Sequence, residues 1–212
     1  MSLPVLIVGG GGHAKVLIEA LRLRSVSILG IIDADPAYAG QKILGVPVIG
    51  GDEKATEYPL NDVQLVNGVG SIDIPEKRRG LFEKFKSKGF SFATVIHPSA
   101  VVASDVELGE GAQIMAGAVI QPGSSIGRNV IINTNASIDH DCQIGDHVHV
   151  APGATLSGGV SVGTKTHIGT GATVIQGIRI GSGSIVGAGA LVLKHVSDSV
   201  TITGVPARVV KK

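Results

Sequence analysis

Three consecutive residues, Asp139, His140 and Asp141, carry the strongest chemical signal in the chain. An imidazole titrates near neutrality, so His140 can take a proton from an attacking group at cellular pH. A carboxylate bonded to its ring would raise its basicity and hold its tautomer. Neighbouring residues in a strand face opposite ways, so such a contact requires a turn. By residue type alone, His140 also fits a polar corner residue on a solvent face. Asn133 has two readings as well: it can bond a ligand, or form an internal ladder. Cys142 lies within reach as a covalent nucleophile, but its place in the repeat described below favours a buried structural thiol.

A second chemical signal lies near the start. Gly9, Gly11 and Ala14 follow an apolar run and precede a helical pattern, with Asp33 about twenty residues on, which fits the dinucleotide fingerprint. Glycines let backbone N–H groups approach a phosphate, and a helix N-terminus favours its charge. A single such match is weak, and a stretch of about 90 residues with some four strands is small for a full dinucleotide site.

The elements that must position these residues follow two grammars. Up to about residue 92, strand-like and helix-like stretches alternate. Val5 to Val8 is a short apolar run ended by Gly9 to Gly12. His13 to Arg24 carries apolar residues at helical spacing, and Ser27 to Ile32 reads as a second strand. After a passage rich in Gly and Pro, Asp62 to Val66 reads as a third strand, with a loop from Asn67 to Gly70. Pro75 to Ser87 reads as a helix with Pro in its first turn. This order predicts a small α/β, Rossmann-like domain over residues 1–92, built on a parallel sheet.

Over residues 93–212 the pattern changes. Aliphatic residues occupy every sixth position from Ile96 through Val102, Leu108, Ile114 and onward to Val186 and Val192, 17 positions without a gap. Four residues after most of them stands a small residue, such as Ala112, Ala118, Ala136, Cys142 or Ala154. Glycine often follows the aliphatic directly, as at Gly109, Gly127, Gly145 and Gly163. A period of six returns an aliphatic inward after each short strand and turn, and stacked turns bury a continuous column. The glycines are expected to supply positive φ at the corners. A narrow prism has little room for large rings, which accounts for 3% aromatics and no Trp.

Composition narrows the function classes. A net charge of +1 carries no signature of nucleic-acid binding. One cysteine excludes an internal disulfide framework and fits a reducing compartment. The opening residues have no basic leader, and their apolar run is too short to cross a bilayer, so a cytoplasmic protein with no membrane partner is expected. His149 and His167 are eighteen residues apart and stack on one face, whereas His147 and His195 fall at other phases of the repeat. Three converging histidines are not expected, and hence no metal.

The hexads resemble the left-handed parallel β-helix of the hexapeptide-repeat acyltransferases, in which three hexads make one triangular coil of eighteen residues. γ-Class carbonic anhydrases and non-catalytic solenoids share that fold, so it does not by itself define the chemistry. Three features together narrow the resemblance: Val5 to His13 heading an α/β domain, Asn133 to Asp141 within the prism, and the tail from Thr203 to Arg208. They are similar to the sugar acetyltransferases that include bacillosamine- and perosamine-type N-acetyltransferases and sialic-acid O-acetyltransferase-like proteins.

That resemblance implies acetyl-CoA as co-substrate and N-acetylation of the 4-amino group of a nucleotide-linked amino-deoxy sugar, with O-acetylation of a sialic-acid-like sugar as the alternative. It makes His140 and Asp141 the catalytic pair and His149 a contact of acetyl-CoA, with backbone groups near Thr170 and Ala188 beside the cofactor and Asn133 near substrate or cofactor. It assigns the nucleotide sugar to Gly11, Gly12, His13, Asp33, Ala34 and Gly70. The family commonly carries an acidic or polar residue where Ala34 stands. Its acceptor sites lie between neighbouring prisms, so a homotrimer is implied.

Overall fold

The computed structural model describes residues 3–210. It contains two compact units, one formed by residues up to 70 together with 76–98, the other by 71–75 and the chain from 99 onward.

The first unit is built on a five-stranded sheet. In chain order its strands are β1 (Val5–Val8), β2 (Ile28–Ile32), β3 (Lys42–Ile43), β4 (Val46–Gly50) and β5 (Gln64–Asn67); across the sheet the order is β3-β4-β2-β1-β5. All neighbours are parallel except β3, which pairs antiparallel with β4. Helix α1 (Gly12–Leu23) follows the glycine loop and buries Ala14, Leu17, Ile18, Ala20 and Leu21, one face of a 3.6-residue period. Helix α2 (Glu76–Ser87) buries Phe82 and Phe85. These pack with Phe90 and Phe92, with 4.5 Å between the Phe82 and Phe92 ring centroids. All four phenylalanines of the chain are in this cluster, so the large rings belong to the α/β core and none to the prism.

The Gly- and Pro-rich passage between β2 and β5, to which the sequence assigns no element, holds the hairpin β3–β4. Pro47 inside the strand hid it, since proline is ordinarily poor in a sheet interior. Its partner Lys42 lies on the two-residue edge strand, and Val46 and Val48 alternate inward around it.

The second unit is a left-handed parallel β-helix. A two-residue strand ends on each of the 17 periodic aliphatics; the first, Val95–Ile96, falls within the first unit, and the second unit holds the other 16, from Val101–Val102 to Leu191–Val192. Each strand up to Thr173–Val174 pairs in parallel with the one eighteen residues on, as Ile120 with Ile138 and Ile138 with Leu156. The inward aliphatics Ile132, Ile138, Leu156, Ile168 and Val174 are fully buried. Each contributes about 1.5–3 kcal/mol of transfer free energy.

The corners correct one expectation. Positive φ recurs every six residues from Gly111 to Gly189, three residues after each aliphatic, and not at the glycines that follow the aliphatic directly. Those glycines are required for space. A Cβ on Gly109 would stand 2.5 Å from the Gly127 carbonyl carbon, and one on Gly163 would stand 2.5 Å from the Ser182 nitrogen. Successive coils approach too closely there for any side chain. The left-handed corner itself accepts Asn129, Asn135, Asp141, His147 and Lys165 besides glycine.

Candidate active site

His140 and Asp141 occupy a corner between strands Ser137–Ile138 and Gln143–Ile144. Asp141 holds the left-handed conformation, with φ at +58°. Asn and Asp tolerate this region better than other side chains. This is the turn that contact between adjacent residues requires, and it sets Asp141 Oδ2 2.8 Å from His140 Nδ1. Asp139 accepts the His140 backbone N–H at 2.8 Å. Both members of the pair are exposed, with side-chain exposures of 62% and 71%.

A carboxylate only accepts hydrogen bonds, so Nδ1 carries the hydrogen and Nε2 of the neutral ring keeps its lone pair. The bond to Asp141 and the charge of Asp139 hold the His140 pKa above its ordinary value. This is a basic, exposed imidazole with a defined tautomer.

Cys142 is different in kind. Its side chain is fully buried, and Sγ lies 3.3 Å from the Ser157 carbonyl. Burial pushes its pKa up, whereas a thiolate nucleophile needs a lowered one.

His149 is buried, not on the surface, and both ring nitrogens are engaged. Nδ1 lies 2.9 Å from the Ser71 carbonyl and therefore donates to it; Ser71 Oγ is 3.0 Å from the same atom. Nε2 then accepts from Asn133 Nδ2 at 3.1 Å. Asn133 Oδ1 in turn accepts the Thr134 N–H at 2.8 Å. Asn133 thus supports a histidine and does not stack in a ladder of like residues. His167 meets His149 edge to face at 5.0 Å between ring centroids. Its Nδ1 is buried without a hydrogen-bond partner, and burial holds its pKa below the usual histidine value.

Thr170 and Ala188 are exposed and stacked one coil apart, with the Gly189 N–H bonded to the Thr170 carbonyl at 2.8 Å. The prism therefore gathers Asn133 and His149 into one network and Thr170 and Ala188 on the corner that follows their sheet. His140 and Asp141 stand on the next corner, one third of a coil further along the chain. Among the described residues, no three His, Cys, Asp or Glu side chains converge as metal ligands would.

In the α/β unit, Gly11 caps α1 and Gly12 begins it. Both have negative φ, and a Cβ on either would meet nothing of the chain within 4 Å. Neither the backbone conformation nor internal packing calls for glycine at these two positions. A bare helix N-terminus with Lys15 in its first turn is suited to an anion approaching from outside. Asp33 serves the same loop from behind: Oδ2 accepts the Gly10 N–H at 2.6 Å and Oδ1 the Asp35 N–H at 2.9 Å. Gly70 abuts His13, where an added Cβ would lie 3.4 Å from the His13 Cβ. Ala34 lines a separate cavity of about 420 Å³ with Asp33, Asp52 and Lys84.

The sequence reading did not single out Lys15, Tyr38, Gln41 and Lys42. With Gly10, Gly11 and Gly12 they line a cavity of about 300 Å³. Tyr38 and Lys42 belong to the Gly- and Pro-rich passage, whose residues carry no periodic signal.

A parallel α/β unit with a glycine-lined helix N-terminus, and a hexapeptide prism with an exposed His–Asp pair on one corner, define a hexapeptide-repeat acyltransferase. Residues 4–85 match the model of the PglD N-terminal domain, and residues 123–158 match that of the bacterial transferase hexapeptide (six repeats). The chain is 44% identical, over 100% of both chains and with a TM-score of 0.92, to a point mutant of perosamine N-acetyltransferase from Caulobacter crescentus solved in complex with CoA and GDP-perosamine. It is 34% identical, over 99% of this chain and 100% of the other with a TM-score of 0.91, to the acetyltransferase domain of PglB from Neisseria gonorrhoeae FA1090, solved in complex with acetyl coenzyme A. It is 43% identical over 116 residues to UDP-N-acetylbacillosamine N-acetyltransferase from Bacillus subtilis (strain 168), a match covering 53% of this chain and 51% of that protein. The aligned part thus spans about half the length of that curated relative. The chain belongs to the hexapeptide-repeat sugar N-acetyltransferase family.

Proposed function

We propose that this protein transfers the acetyl group of acetyl-CoA to the 4-amino group of a nucleotide-linked amino-deoxy sugar, with His140 as general base. The observation that carries this reading is the 2.8 Å bond between His140 Nδ1 and Asp141, which leaves the Nε2 lone pair basic on an exposed side chain. It stands in a chain that matches, over its whole length, a transferase solved with CoA and a GDP-linked amino sugar.

The amine nitrogen attacks the thioester carbonyl carbon, and Nε2 takes the proton that the amine loses. The carbonyl becomes a tetrahedral oxyanion, which a backbone N–H would stabilise. The C–S bond then breaks to re-form the carbonyl as the amide, and the departing thiolate takes the proton back from Nε2. Atoms and charge balance with no covalent enzyme intermediate, in keeping with the buried Cys142. Asp141 holds the ring and offsets the imidazolium charge while it exists.

The α/β unit would hold the nucleotide through Gly11, Gly12, His13 and Gly70, with Asp33 shaping the loop. The residues assigned to acetyl-CoA are His149, Thr170 and Ala188. Both His149 nitrogens are already bonded, so a contact with the cofactor would come from the ring edge or follow exchange of a partner. Within one prism His149 lies on a face, Thr170 and Ala188 on the corner after it, and His140 on the next corner. This supports a homotrimer in which one chain's catalytic corner serves another chain's cofactor face. A cytoplasmic location fits one buried free thiol; no helix among the described residues is long and apolar enough to cross a membrane.

The test is thiol release from acetyl-CoA with UDP- and GDP-linked 4-amino sugars and with free sialic acid. Release with an amino sugar, lost on His140→Ala, is the expected result. Release with sialic acid alone would overturn the amine reading.

A further inference from the structure

The exposed His140 ring has one bond to fix its tautomer, yet a single bond to an exposed carboxylate does not fix where Nε2 points. The coil above supplies a second restraint. Gly158 stands eighteen residues after His140 on the same corner, and the next residue, Gly159, donates its N–H to the His140 carbonyl at 2.8 Å. A Cβ on Gly158 would stand 2.5 Å from His140 Nε2, 2.6 Å from Cε1 and 3.1 Å from Cδ2. Real side chains do not tolerate such distances, so the imidazole edge occupies the space that a side chain at 158 would fill.

We propose that Gly158 is a positioning residue whose missing side chain seats the His140 ring with Nε2 held at the corner. This rests on the reading of His140 as the base. Three contrasts support it. The backbone of Gly158 is outside the left-handed region, so conformation does not demand glycine there, whereas Gly159 beside it has φ +68°. The atoms that a Cβ would strike are the far end of a rotatable side chain, not backbone as at Gly109 or Gly163. An alanine would thus displace the ring and leave the coil stacking intact. Finally, Gly159, with a Cβ no nearer than 4.0 Å to its neighbours and none of them His140, provides a matched control one residue away. Displacement of the ring would break the 2.8 Å bond to Asp141 and turn Nε2 away.

The experiment compares Gly158→Ala, Gly158→Ser and Gly159→Ala in the full chain. It reads thermal midpoint, the NMR titration of the His140 ring, and the pH profile of thiol release with acetyl-CoA and GDP-perosamine or a UDP-linked 4-amino sugar. Asp139 and Asp141 are the charged groups that act on His140, and they are untouched in all three variants. Both changes at 158 are expected to keep the wild-type midpoint, return the His140 titration toward its ordinary range and lower kcat by about a hundredfold. KM for both substrates should stay within about threefold. Gly159→Ala is expected to lower the midpoint and keep the titration. Wild-type titration in both 158 variants would overturn the seating of the ring, whatever the rate did. A lowered titration with an unchanged rate would confirm the seat and overturn His140 as base. The two failures are therefore separable.

Discussion

His140 and His149 are nine residues apart in the same repeat, and the prism treats them in opposite ways. The His140 side chain is exposed, with one nitrogen bonded to a carboxylate and the other carrying its lone pair. His149 is buried and bonded at both nitrogens, with His167 packed against its ring. An imidazole that must move a proton needs an available lone pair and a neighbouring anion. An imidazole that braces a wall needs every polar atom satisfied. The residue type is common to both; position on corner or face separates them.

The sharpest way to break this contrast is to remove each ring. His140→Ala is expected to lower kcat by about a hundredfold or more with an unchanged thermal midpoint. If His149→Ala cost more turnover than His140→Ala, the division of roles would fail. Asp141→Asn should cost less, about tenfold in kcat, and should also move the acid limb of the kcat/KM profile. The base works as neutral imidazole, so activity rises with pH through its pKa. Asp141 raises that pKa, and its loss shifts the limb to lower pH; a limb that moved upward would contradict the assignment.

The buried side of the comparison is tested by stability. Asn133→Ala leaves His149 Nε2 without its donor and should cost about 1–3 kcal/mol in denaturant unfolding. A smaller effect belongs to pH. His167 has a pKa below the unfolded value because burial disfavours its charged form, so the unfolded chain binds the proton more readily. Stability is full above the unfolded pKa and falls as pH drops through it toward the lowered folded value. His167→Gln should flatten that acid loss, as read from thermal midpoints between neutral pH and about pH 5. The smallest effect is expected from Cys142→Ala. Turnover should stay within about twofold, because no thiolate chemistry is assigned to that buried thiol.

Much of this architecture is legible in the residues. The hexad forces an inward aliphatic at every strand, and the structure closes a two-residue strand on each one. The spacing of eighteen correctly stacks His149 over His167. The pairing of His140 with Asp141 was expected only on condition of a turn, and the left-handed corner supplies that turn. The hairpin β3–β4 was missed because a proline and two very short runs give little periodicity. With it went Tyr38 and Lys42, neighbours of the glycine loop. The glycines after each aliphatic were recognised by position but misread in cause: they make room for the next coil, and the corner three residues on carries the positive φ.

The division has a physical basis. Periodicity and residue size are local properties, and a six-residue repeat with one aliphatic in each has few ways to bury its core, so strand positions, the eighteen-residue stacking and the exclusion of large rings follow from the order of residues. Burial of His149, the orphaned nitrogen of His167 and the seat of His140 over Gly158 depend on which atoms meet across coils or from the segment at Ser71. No local pattern encodes those meetings, because they join residues brought together only when the coils stack.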